Sequence, residues 1–384
     1  MFRIACVLFS VGMLAPIASA QDYYPELMDR LRCPDLYRVT GAIALVRDER
    51  ELEARRALLE EQRAVAGYEP PEVMNLAALR EIEPALTDAY PWGVHRAEDA
   101  QLEPAGLVEG LRAAAVRDGV AIVQGARVDA THREGGAWRV ETPVGTFAAP
   151  SIVNCAGVWA EQLGRLADVV VPVRCVRGQV VVVAAGDQPV RTPVSWSGQV
   201  DIRQAADGRY WLGTVEQVDS WDLEVRAEDT ETILERVSGT LTGIAERPVS
   251  EVWAGLRPVP ADGLPLVGRA DGADGYFVAV GHGGLSFCGV EGRGLAAQIL
   301  GGVIDPLLEP FAPDRPMPGW QMPQAGATDI LPELTARATR LGIRTDGTDW
   351  SRVATVASRS GGASRRVADA AAGRPLRTRG PECP

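Results

Sequence analysis

The sequence predicts a mixed α/β fold, and three observations carry that expectation. Residues 102–120, "LEPAGLVEGLRAAAVRDGV", place Pro104 at a helix start, an apolar stripe at Leu107, Val108, Leu111 and Ala115, and Gly119 as the stop. That helix delivers "VAIVQGARV", which reads as strand, turn and strand. Residues 172–217 hold "RGQVVVVAA", "DIRQA" and "RYWLGTV" between Gly and Asp turns, the pattern of an antiparallel sheet. Residues 276–302 read as a strand at 276–280, a glycine-rich turn at 281–284 and a helix from about 290 to 300.

The remaining elements follow from the same periodicities. Residues 49–65 combine dense charge with Leu and Ala at helical spacing, a surface helix, and 76–82 form a shorter one closed before Pro84. Residues 136–155 predict a hairpin around 143–145 and then a buried strand ending at Asn154. A helix returns at 228–241. Residues 316–384 are rich in Ala, Gly, Thr, Ser, Pro and Arg and poor in large apolar side chains, which predicts a disordered tail.

Composition narrows the function. A chain of 384 residues with 46% hydrophobic and 23% charged residues suffices for two domains or one large domain of interleaved halves. A net charge of -12, with no basic cluster in the first 315 residues, argues against nucleic acid as a partner. Every basic residue is Arg; the absence of Lys excludes a Lys Schiff base and a P-loop. His95, His132 and His282 are too scattered for a His-based metal site, so no metal is expected. The six cysteines form no C-x-x-C pair and read mostly as buried thiols. After residue 20 no apolar run approaches the roughly 20 residues that span a bilayer.

Two segments attract a ligand-binding reading. The glycine-rich turn at 281–284, ahead of a helix N-terminus, lets an anion approach backbone N–H groups, although a plain strand-to-helix connection reads equally well. Ser286 stands where a G-x-G-x-x-G fingerprint needs its third Gly. In "GLRPVPADGLPLVG", residues 255–268, Arg257 is either a surface ion-pair partner or a carboxylate clamp. The two prolines and Asp262-Gly263 predict a rigid loop, which favours the clamp.

That segment, followed by "GYFVAVGHGGLS" and "GRGLAAQIL", resembles the C-terminal signature of the D-amino-acid oxidase family of FAD-dependent oxidoreductases, especially its glycine oxidase and D-amino acid dehydrogenase branches. "YRVTGAIALVRDERELEA", "LREIEPAL", "EDAQLEPAGLVEGL", "GARV", "NCAGVWAEQLG", "VPVRCVRGQVVVV" and "DGRYWLGTVEQ" match its other blocks in order, so the resemblance covers about residues 35–315. It implies an FAD-binding Rossmann-like domain (about 98–165 and 255–315) interleaved with an antiparallel-sheet substrate domain (about 35–97 and 166–254). The Rossmann-like part is incomplete: the family's opening βαβ unit with G-x-G-x-x-G has no counterpart in this sequence.

The resemblance further implies FAD as cofactor and hydride transfer from the Cα–N bond of glycine or a small D-amino acid, with the protein positioning and polarising. On it, Arg257 holds the substrate carboxylate, and Tyr210 and Trp211 lie on the sheet covering the substrate. Gly281, His282, Gly283, Gly284 and Leu285 face the flavin, Val128 lies beside the adenine, and Ala156, Gly157 and Trp159 line the ribityl-diphosphate path. His282 has a second reading, as a turn residue bonded to neighbouring backbone. The alternative function is a non-catalytic remnant that binds small carboxylates without flavin.

The front of the chain also has two readings. Arg3, the apolar run to Ile17 and Ala18-Ser19-Ala20 compose a secretory signal cleaved after Ala20, which implies export. Residues 12–16, "GMLAP", instead resemble the stretch after the family's βαβ unit, which makes this segment an edge of the cofactor domain and the protein cytoplasmic.

Overall fold

The computed structural model describes residues 14–63, 70–186, 190–196 and 199–317. The expected tail from residue 318 onward, and Gly12 and Met13 of "GMLAP", lie outside the described residues. Helix α1 (Leu14–Leu31) leads into strand β1 (Tyr37–Val39) and β2 (Ala42–Val46). Then come α2 (Glu49–Arg63), β3 (Val73–Asn75), α3 (Leu76–Ile82), β4 (Trp92–Arg96) and β5 (Ala100–Leu102). Helix α4 (Pro104–Arg117) precedes a three-stranded meander of β6 (Ala130–Glu134), β7 (Ala137–Thr142) and β8 (Gly145–Ala149). After β9 (Ile152–Asn154) and α5 (Ala160–Arg165) the chain enters β10 (Val173–Val183), β11 (Val194–Trp196), β12 (Val200–Gln204) and β13 (Tyr210–Val218). Helix α6 (Ala227–Ser238), β14 (Val249–Pro260), β15 (Leu266–Arg269), β16 (Tyr276–Val280) and α7 (Gly284–Gly301) complete it.

One sheet dominates, an eight-stranded assembly in the order β14-β10-β13-β12-β11-β2-β4-β3. Its pairings are antiparallel apart from β11 with β2. The chain visits this sheet twice. Between the visits it makes α4, the meander and β9, and after them β15 and β16, which join β9 in a small sheet with β9 and β16 parallel. The largest core cluster packs one face of the large sheet, through Val181, Val183, Ile202, Tyr210 and Leu212, against Ile233 and Val237 of α6 and Leu79 of α3.

Helix α1 runs unbroken through Ala18–Ala20, and its second half is core: Tyr24, Leu27, Met28 and Leu31 are buried with Leu36 and Leu107. The Tyr23 ring occupies the notch that Gly289 leaves on α7, where an added Cβ would come within 2.2 Å of it. Among the described residues no helix is long and apolar enough to cross a membrane.

Four expectations need correction. Residues 120–128 form no strand; no described strand lies alongside to take up their backbone groups, and Val120, Ile122 and Val123 stand 55%, 45% and 47% exposed. Strand β9 is only partly buried, with Val153 38% exposed, because it pairs with β16 alone. Helix α7 begins at Gly284 rather than near Val290: Gly283, at φ +87°, supplies the left-handed N-cap that starts it. Arg257 sits inside strand β14 and not in a loop. Pro258 and Pro260 are tolerated there because β14 is the edge of the sheet, where a missing N–H can face outward.

A buried charge cluster locks α6 to β10. Arg177, 0% exposed, donates from Nη1 to Asp229 Oδ2 at 2.8 Å and from Nη2 to Gln179 Oε1 at 2.9 Å and to the Glu224 carbonyl. Gln179 Nε2 donates in turn to Thr230 Oγ1 at 2.9 Å. Removing one member strands a buried charge, so Asp229→Ala is expected to lower unfolding free energy by about 3–5 kcal/mol, with the double replacement Arg177→Met/Asp229→Leu recovering most of it. Urea unfolding of the three proteins checks this.

Candidate functional site

Directly opposed residues in a ladder share a face, so register decides what can meet. Gly178 on β10 lies opposite Glu216 on β13 and Gly255 on β14. Val176 lies opposite Arg257, Val180 opposite Trp253 and Val182 opposite Trp211. Arg257, Glu216, Gly255, Trp253 and Trp211 therefore share the face turned away from α6. The two indoles meet edge to face at 5.6 Å.

Arg257, 11% exposed, lies across β10: a Cβ built on Gly178 would come within 1.8 Å of its Nη1. Glycine is thus required at 178 for the guanidinium to occupy this position. Nη2 donates to Thr214 Oγ1 at 3.1 Å, and Nη1 is 3.6 Å from Glu216 Oε1. Glu216 is 34% exposed.

Tyr210 does not join this group. It pairs with Val183, which puts it on the opposite face, 0% exposed in the core beneath α6. Its neighbour Trp211 takes the position on the site face. The strand's alternation, unreadable without the register, decides between them.

The second group gathers at the C-terminal ends of the parallel pair β9 and β16, where Val278 is opposite Asn154. Such strand ends are where open α/β sheets receive ligands. Ala156, Gly157 and Trp159 follow β9; Gly281, half-buried His282, Gly283, Gly284 and Leu285 follow β16, the last two already in α7. Asn154, 0% exposed, fixes the first of these turns: Nδ2 donates to the Ala160 carbonyl at 2.8 Å and to Tyr276 Oη at 3.0 Å, and Oδ1 accepts from Ala156 N at 3.1 Å. The 3-10 turn Gly157–Trp159 packs on β10 and β14, so it reaches the strands that carry Arg257. Trp159 is 41% exposed, its ring 6.1 Å from Trp221. Val128 stands apart in the segment 120–128, just before Asp129 N donates to the Glu141 carbonyl.

Glu291, one residue beyond the buried Val290 of α7, was not singled out by any sequence motif. It is half-buried beside Tyr24, Cys155 and Cys288, and burial pushes its carboxyl up to about 7. The folded state therefore prefers it protonated. Its favourable contribution is full below the ordinary carboxylate range and is lost as pH rises through about 7. Glu291→Gln is expected to stabilise the protein by about 1–2 kcal/mol at pH 8 and to change little at pH 4.5. Unfolding curves across that range test the sign.

Comparison with known proteins places this geometry. The family model of the D-amino-acid oxidase type, described as FAD dependent oxidoreductase, matches residues 13–298. The chain belongs to this FAD-dependent oxidoreductase family. It is 27% identical over 318 residues to a glycine oxidase of Pseudomonas putida, covering 80% of this chain and 84% of that one. With a D-amino acid dehydrogenase of Cereibacter sphaeroides it shares 28% over 275 residues, 70% of this chain and 62% of the other. The crystal structure of glycine oxidase from Geobacillus kaustophilus superposes with a TM-score of 0.74 at 25% identity, over 80% of this chain and 85% of that one.

The described residues fit the flavin end of FAD. The 18-residue α7 points its N-terminus at the junction with β9, with no acidic residue in its first turn. Gly281 abuts Pro265 so closely that a Cβ would lie 2.9 Å from Pro265 Cα, and Gly157, at φ +57°, has nothing within 4 Å of an added Cβ. Pro265 fills the notch at Gly281, whereas Gly157 leaves its surface open. No G-x-G-x-x-G occurs in the sequence, so the described residues supply no glycine-rich diphosphate loop.

Proposed function

We propose that this protein oxidises the Cα–N bond of a small amino acid, glycine or a D-amino acid. The observation that carries the reading is the placement of Arg257: a nearly buried guanidinium lying over Gly178, on one of the two strands on which the Gly157–Trp159 turn packs. A planar, permanently charged guanidinium in a half-closed site suits a carboxylate held by two parallel hydrogen bonds. FAD, when bound, supplies the hydride acceptor. Trp253 and Trp211 share the face of the sheet that carries Arg257, with Arg203, 6% exposed, stacked 4.3 Å over the Trp211 ring. Gly281, His282, Gly283, Gly284 and Leu285 would hold the ring end of the cofactor, Ala156, Gly157 and Trp159 its middle, and Val128 its adenine.

Orientation is the main contribution asked of these side chains, because hydride transfer needs the Cα–H aimed and close more than it needs a proton relay. Arg257→Ala is expected to raise KM for glycine or D-alanine about 100-fold, with kcat less affected. Gly178→Ala is expected to follow it at about 10-fold or more, since the guanidinium must leave the space the new methyl takes. Anaerobic titration of the flavin-containing protein with each amino acid, read by bleaching of the flavin absorbance, tests the proposal. A purified protein with no flavin spectrum, and none after added FAD, would leave it as a carboxylate-binding protein.

A further inference from the structure

We infer that the chain holds a second binding site, on the side of the large sheet that carries α6, where Arg247 receives the carboxylate of a small aliphatic acid. The inference is independent of the reading of Arg257.

A cavity of about 590 Å³ lies where β10 ends and the chain between α6 and β14 passes it. Its size falls within the roughly 300–1,000 Å³ of ligand pockets. Much of its wall is aliphatic, with Val190, Leu241, Ile244 and Pro248 among the lining side chains. Backbone hydrogen bonds fix that wall: Ala184 N donates to the Pro248 carbonyl and Thr242 N to the Ala85 carbonyl, both at 2.9 Å. Among the described residues the cationic side chain lining the cavity is Arg247.

The Arg247 guanidinium is placed without being satisfied. It lies over Gly186, where an added Cβ would come within 1.1 Å of Nη1, so glycine leaves the room that it occupies. Its Cζ stands over the Tyr210 ring, 4.8 Å from the centroid. A ring face attracts the cation but supplies no oxygen to its N–H donors. Nε is buried with no hydrogen-bond partner, and among the described residues Arg247 forms no hydrogen bond and no ion pair. Arginines that serve the fold are treated otherwise: Arg315 donates to both Asp262 oxygens and to the carbonyls of Leu264, Pro265 and Ala312.

The neighbouring acids leave these donors unused. Glu83, 1% exposed, accepts from Ala85 N at 3.3 Å and from Arg191 N at 2.7 Å, so its oxygens are committed to backbone. Glu246, at the cavity, is exposed. An acceptor arriving in the cavity therefore meets a cation whose hydrogen bonds the described residues do not make.

The chemistry of the wall selects among acceptors. A guanidinium matches a carboxylate through two parallel hydrogen bonds, and the cavity beside it is largely aliphatic. A monocarboxylate with a short hydrocarbon tail meets both: its head binds Arg247 and its tail leaves water against Leu241 and Ile244. A phosphate dianion fits less well, because one guanidinium leaves part of its charge unmet beside aliphatic side chains. An alcohol of the same shape gains the apolar contact alone.

The test is calorimetric titration of the full chain with isovalerate, with isoamyl alcohol and inorganic phosphate as controls. It is run in the Arg257→Ala variant, so that the other face of the sheet does not contribute, and urea unfolding establishes that each variant is folded. One saturable isovalerate site is expected, binding at least about 10-fold more tightly than either control. Adding Arg247→Met, which keeps the apolar stem, is expected to weaken isovalerate at least about 10-fold. Should that variant not fold, Arg247→Lys keeps the charge and loses the fork, and a loss of about 3-fold or more is expected. Wild type serves as the host protein in the same way if Arg257→Ala does not fold. No saturable isovalerate binding, a control that binds as tightly, or unchanged affinity in the folded Arg247 variant overturns the inference.

Discussion

Strand β10 sets the position of everything at the site, because it is paired along its length on both sides and its two faces do different work. Its side chains alternate, so Arg177, Gln179, Val181 and Val183 turn towards α6 while Val176, Gly178, Val180 and Val182 turn towards the face that carries Arg257. The tripeptide Arg177-Gly178-Gln179 shows the constraint most clearly. Its outer members bind Asp229 and Thr230 of α6, and its middle member must be glycine for Arg257 to lie across the strand. A slip of one residue would put a buried guanidinium on the open face and close the space above Gly178. The polar clamp and the site are therefore specified by the same register.

Helix α6 extends that control to the neighbouring strand. Arg236 donates to the Thr214 carbonyl, and Thr214 presents its hydroxyl to Arg257. Side chains on a helix that never touches the open face thus fix two of the three strands beneath it. Full burial of Arg177 makes this a rigid arrangement: a desolvated guanidinium has no acceptable position except the one in which its partners are met.

Elements with a strong local signature were legible in the sequence. The helix 76–82 and the strand 276–280 appear with the expected limits, since Asn75 caps one through its side chain and a run of apolar residues between turns defines the other. What escaped depends on neighbours distant in the chain. Arg257 is legible as a residue but its strand is not, because proline argues against a strand until the strand is known to be an edge. Tyr210 and Trp211 are adjacent and chemically alike, and only pairing with β10 tells which faces the core. Glu216 and Thr214 lie within "DGRYWLGTVEQ", but nothing local marks them; they reach Arg257 across β10 from a strand on its other flank.

The two halves of the proposed site meet at a place that neither half could build alone. Asn154 takes three hydrogen bonds to fix the turn after β9, and one of them goes to Tyr276 at the start of β16, so the parallel pair is stitched by a side chain as well as by its ladder. That turn then leans on β10 and β14 of the large sheet. The separation of Arg257 from the turns at the ends of β9 and β16 is thus set through packed, hydrogen-bonded backbone. The proposed hydride transfer requires that separation to be held closely, and the chain interleaves the two sheets, crossing between them after β9 and again after β14.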